Sequence, residues 1–130
     1  MAALNNSSRA HITSKICLTR DVGLRRTLFG GNMMAWLDEA ASIYAHGYTG
    51  EELMVTLKFG ELHFVHPVYE GHIVNFYASN VKEGRTSIAF DLEGITDKDV
   101  LVVKTSVVFV SVDENSRPKP IARFLKNAQA

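Results

Sequence analysis

One stretch limits the possible folds of this chain more than any other. FGGNMMAWLDEAASIYAHG, residues 29–47, is the long run whose apolar positions recur at helical spacing. Asn32 offers a side-chain acceptor to the free amides of a first turn, His46 suits the negative end of the helix dipole, and Gly47 is a natural left-handed stop. The predicted helix therefore spans 32–46. Met33, Met34, Trp36, Leu37, Ile43 and Tyr44 make it apolar on most faces, the pattern of a buried helix. Asp38 and Glu39 interrupt that pattern, although a carboxylate is costly to bury without a partner.

Everything after Gly50 reads as strand. Val55, Leu57 and Phe59 alternate with Thr56 and Lys58. Beyond Gly60 the apolar positions become Leu62 and Phe64, a one-residue slip that predicts a β-bulge. Pro67 closes that strand. Strands over 72–82, 85–96 and 100–112 follow, and the short turns between them make them antiparallel. The last is apolar on both faces, as a central strand or one covered by another subunit would be. A shorter strand over 11–18 precedes the helix. The predicted class is α+β, a long central helix wrapped by a curved antiparallel β-sheet. Residues 1–10 read as a loose leader, 11–121 as one domain, and 122–130 as a tail with a helical turn or two. One chain supplies too little cover for both helix and sheet, so an obligate oligomer is expected.

Composition narrows the function. The 130 residues are 46% apolar with zero formal net charge, which suits one compact domain with no general affinity for nucleic acid or membrane. A single cysteine rules out a disulfide within the chain, and no signal peptide or bilayer-spanning run is recognisable, so a cytoplasmic protein is expected. Cys17 sits in an apolar strand and reads as core. His63 and His66 are three apart and face opposite sides of a regular strand, a poor metal pair. No motif calls for a metal or cofactor, and none is expected.

On a helix, Asp38 shares its face with Gly31, Met34, Ala35, Ala41, Ser42 and Ala45, all small except Met34. Gly30 and Gly31 leave the backbone uncovered where the free first-turn amides point outward and would attract an oxyanion or a polarised carbonyl oxygen. Asp38 lies six residues beyond Asn32, about 9 Å by helical rise. One face thus offers oxyanion donors and, further along, a general base or nucleophile, which suits acyl transfer. A structural carboxylate is the competing reading, the stronger one for Glu39, which Trp36 and Ile43 confine.

These residues also resemble a known family. FGGNMMAWLDEAA is similar to the helix motif of hotdog-fold acyl-coenzyme A (acyl-CoA) thioester hydrolases, with an aspartate seven residues after the second glycine. The similarity continues through VTLKFGELHFVHPVYEGHIVNFYASNVKEGRTSIAFDLEG and VFVSVDENSRPKP, covering about 18–121. The resemblance implies a hotdog fold, a dimer with a continuous sheet assembling to a homotetramer or homohexamer, and a site between subunits. It implies cleavage of acyl-CoA to free acid and CoA, with Asp38 as general base or nucleophile. Backbone donors at Gly30, Gly31 and Asn32 would hold the carbonyl, and the Gly84-Arg85-Thr86-Ser87 hairpin would bind the coenzyme. The family usually carries Asn and Gly where this chain has Gly23 and Arg26, so a non-catalytic acyl-CoA binding or sensing protein is the alternative. A hotdog hydratase or dehydratase ranks lower, because His46 is the helix's only histidine.

Overall fold

The computed structural model describes residues 8–129. In chain order these form β1 (Arg9–Ile16), two short 3-10 turns (Thr19–Asp21 and Leu24–Arg26), α1 (Gly30–Thr49), β2 (Met54–Phe59), β3 (His63–Phe64), β4 (Ile73–Glu83), β5 (Ser87–Thr96), β6 (Leu101–Ser111) and α2 (Ala122–Gln129). The first seven residues of the expected leader lie outside the described residues, and Arg9 and Ala10 already belong to β1. The strands form one antiparallel sheet in the order β1-β4-β5-β6-β2, with β3 also on β6. α1 packs on one face of it, giving the expected α+β architecture.

α1 is longer than its sequence signals. It begins two residues before Asn32 and runs through Gly47 to Gly50, whose left-handed backbone (φ 73°) ends it and whose amide donates to the His46 carbonyl. Gly47 sits inside the helix, because Tyr48 and Thr49 still have packing partners: Tyr48 bonds Glu83, and Thr49 is buried. Nor is α1 buried all round. Met33, Trp36, Leu37, Ala40, Ala41 and Ala45 face the sheet, while Met34 and Ile43 are about half exposed. On the sheet side the core is Val74, Phe76, Ile88, Phe90, Leu92, Val103, Val107 and Phe109, alternate residues of β4, β5 and β6.

Two strands depart from regular pairing. β1 pairs with β4 with a register shift between His11 and Thr13. β2 pairs with β6 with a shift between Thr56 and Lys58, so Leu57 is the extra residue; pairing then breaks at Gly60, whose amide donates to the Ser106 carbonyl at 2.8 Å. The slip expected at Gly60 is thus preceded by a second irregularity.

α2 is tied down by a buried acid. Glu51 is 7% exposed; its carboxylate accepts from the Ala122 amide at 3.0 Å and meets Lys119 Nζ at 3.3 Å. The Ala122 amide first, and Lys119 second, hold this carboxyl below the usual range against the opposing effect of burial. A depressed folded-state pKa gives stability that is complete above the unfolded pKa and lost as pH falls through the folded one. Glu51→Gln is expected to cost about 1–3 kcal/mol near neutral pH and to speed hydrogen exchange in α2. The difference from wild type should shrink as the pH enters the carboxylate range; unchanged α2 exchange would count against the clamp.

Candidate functional site

The start of α1 rests on the Thr19–Asp21 turn. The Asp21 carbonyl accepts from the Phe29 amide at 3.0 Å and from the Asn32 carboxamide at 2.9 Å. Asn32 is therefore the third helical residue and not the cap; Phe29 holds the cap position with no side-chain hydrogen bond. The backbone amides of Asn32 and Met33 both donate to the Phe29 carbonyl, at 2.9 and 3.1 Å. That narrows the expected donor set: Gly30 and Gly31 keep amides without an acceptor among the described residues, whereas Asn32's is used.

The ring of Phe29 lies between two glycines. A Cβ at Gly31 would stand 2.9 Å from Phe29 Cε2, and one at Gly23 3.2 Å from Phe29 Cδ1. Arg25 and Arg26 have φ of 64° and 59°, the left-handed region that side chains disfavour. Arg26 is held there by Glu70, 2.9 Å from its guanidinium, and Glu70 also accepts from Thr19 Oγ1 at 2.6 Å.

Asp38 projects from the middle of α1 and is exposed in the single chain, as is Glu39; neither is buried as the apolar run implied. Glu39 pairs with Lys15 Nζ at 2.9 Å, the structural role expected of it. Asp38 Oδ1 instead accepts a 2.7 Å hydrogen bond from the Thr56 hydroxyl on β2. Of its small neighbours, Ala41 and Ala45 are buried, and Ser42 Oγ donates to Asp38's own carbonyl at 2.8 Å. Open space lies on the other side, in an apolar cavity of about 310 Å³ lined by Met34, Ala35, Leu37, Phe59 and Leu62 with Asp38 at its rim. Larger depressions of about 630 and 600 Å³ lie elsewhere and do not include Asp38.

The Gly84–Ser87 hairpin is well formed: the Gly84 amide donates to the Ser87 carbonyl at 2.7 Å, and the carbonyls of Arg85 and Thr86 accept from Ile121 and Ser111. It sits by the far end of α1, where Tyr48 O–H donates to Glu83 at 3.0 Å. Tyr48 is ten residues, about 15 Å, along the helix from Asp38. One chain thus brings Asp38 and its cavity together but leaves the hairpin apart. Cys17 is fully buried and its thiol is pushed up by that burial, in keeping with a core residue. Thr56 escaped the sequence reading. Alternation placed it opposite Val55 and Leu57, but nothing in the sequence said that the polar side would face the helix.

Comparison with known proteins agrees with this architecture. The profile of the thioesterase superfamily matches residues 26–103. The acyl-CoA thioester hydrolase YciA of Salmonella typhimurium is 25% identical, over 93% of this chain and 97% of its own. A hexameric hotdog-fold thioesterase of Campylobacter jejuni superposes with a TM-score of 0.77 at 25% identity, covering 91% of this chain and 94% of that one. An acyl-CoA hydrolase of Staphylococcus aureus, solved with butyryl-CoA and CoA, gives 0.75 at 26% identity over 89% and 70%. The chain belongs to the thioesterase superfamily and is an enzyme of its hotdog-fold branch. Variants of the S. aureus enzyme were made at an aspartate and at an asparagine 15 positions before it. Gly23 and Asp38 have that same separation in this chain.

Proposed function

We propose that the protein hydrolyses acyl-CoA thioesters to the free acid and CoA, with Asp38 as the reacting carboxylate. The observation that carries this is the Asp38 carboxylate oriented by the Thr56 hydroxyl at the rim of an apolar cavity. An acyl group in the cavity would place its thioester carbonyl beside the carboxylate. Asp38 then either takes a proton from an attacking water or adds to the carbonyl carbon itself. Either way the C–S bond breaks, the thiolate leaves and is protonated, and one water is consumed.

The carbonyl oxygen needs donors, and the unused amides of Gly30 and Gly31 supply them at the positive end of α1. Gly31 is seven residues from Asp38, about 10 Å by helical rise, too far to serve the same carbonyl within one chain. The site is therefore completed between subunits, one helix giving the carboxylate and its partner the amides, with the Gly84–Ser87 hairpin and Arg85 reaching the coenzyme from a neighbouring copy. Exposed apolar side chains support an assembly: Phe29, Met34, Leu57 and Phe64 are each more than half exposed in the single chain. The C. jejuni relative is a hexamer, and a homo-oligomer built from dimers is the reading for this chain.

The test is thiol release from acyl-CoA esters of graded length, with and without EDTA. Release that EDTA leaves untouched is expected. Binding of the esters without release would make the protein a binding module, the role that Gly23 in place of the asparagine would favour.

A further inference from the structure

In a regular strand, residues three apart face opposite sides. Thr56, Phe59 and Leu62 are three apart in turn, yet all three face α1. Thr56 pairs with Phe109 and Phe59 with Val107, both core residues on the helix side of β6. Thr56 bonds Asp38, and Phe59 and Leu62 line the cavity beside it. The two irregularities of β2 cause this. The extra residue Leu57 turns the strand once, and the break at Gly60 turns it again. Gly60 lies so close to β6 that a Cβ there would clash with the Ser106 side chain.

We infer that Phe59 and Leu62 form the acyl-chain wall of the site and set the length of acyl group the enzyme accepts. The inference deepens the hydrolase reading and rests on it. Met34, Ala35, Leu37 and Asp38 on α1 line the cavity opposite Phe59 and Leu62, Leu37 being 1% exposed. The volume of about 310 Å³ is roughly twice the ~150 Å³ that takes a six-carbon ring in an apolar interior. The three-residue spacing makes the wall continuous with the catalytic group: Thr56 fixes the carboxylate, and the next two inward side chains run on from it.

The experiment is kcat/KM for CoA esters from two to sixteen carbons, on wild type, Leu62→Phe, Leu62→Ala and Phe59→Leu, each checked for wild-type assembly. Leu62→Phe fills the cavity and is expected to lower the long-to-short ratio of kcat/KM about 10-fold or more, since a single methylene in an apolar pocket is worth at least that. Leu62→Ala and Phe59→Leu are expected to move the optimum to longer chains. If Leu62→Phe does not assemble, those two variants decide the matter. Activities that fall equally at every length, leaving the ratios unchanged, overturn the wall while leaving the hydrolase reading intact. A wild type that releases no thiol from any ester overturns both.

Discussion

Asp38→Asn is expected to lower kcat by about 10²–10⁴-fold, the range in which a positioned proton-transfer group contributes, while CoA binding and assembly stay as in wild type. The substitution keeps the shape and the acceptor oxygen that Thr56 addresses, so the loss would report the charge and basicity of the carboxylate. Thr56→Val separates orientation from chemistry. It removes the 2.7 Å hydrogen bond to Asp38 and leaves the carboxylate free to swing toward solvent. A hydrogen bond to a charged group is worth about 1.5–3 kcal/mol, so a loss of roughly 10–100-fold in kcat is expected, with little change in KM. If Asp38→Asn kept half of the wild-type turnover, the carboxylate would be structural and the reacting group would have to be sought elsewhere.

The second large effect is expected in the core. Phe76 on β4 stands directly opposite Gly94 on β5, and its ring meets Trp36 of α1 edge-on at 6.5 Å. Gly94 has no room for a side chain: a Cβ there would lie 2.7 Å from Val103 Cγ1 and 3.2 Å from Phe76 Cε1. The ring of Phe76, with Val103 and Val74, fills the space a side chain at 94 would otherwise take, and meets Trp36 of the helix as well. Phe76→Ala is expected to cost about 3–5 kcal/mol, a large part of the roughly 5–15 kcal/mol that holds a typical domain. Urea unfolding at fixed protein concentration would show it as a lower midpoint with an unchanged slope. A cost below about 1 kcal/mol would mean that neighbouring side chains close over the glycine without the ring.

Much of the fold was written in hydrophobic spacing. The alternation of Ile88, Phe90 and Leu92 in β5 and the short turns that join β4, β5 and β6 point to an antiparallel meander, and that is what forms. The ends of α1 were less legible, because local signals compete with packing. Asn32 looks like a cap, but the Asp21 carbonyl draws its side chain backward and lets Phe29 take that place. Gly47 looks like a stop, but Tyr48 and Thr49 still have partners to reach. The candidate carboxylate was visible as a charge in an apolar run, whereas its hydrogen-bond donor was not. Thr56 became visible only once the pairing with β6 fixed which side of β2 faces the helix.

The bulge in β1 bears on how far such a molecule can grow. A sheet with two open edges can add strands at both and run on without end. β1 forms one edge, and its register shift between His11 and Thr13, with Arg9 and Lys15 along it, spoils that edge as a template. β2, on the other edge, is interrupted as well, by the extra residue Leu57 and by the break at Gly60. Neither edge offers an incoming strand a long, flat row of free backbone groups. An irregularity on each side thus turns backbone pairing from something that runs on without end into something that stops, which separates a finite enzyme from a fibre.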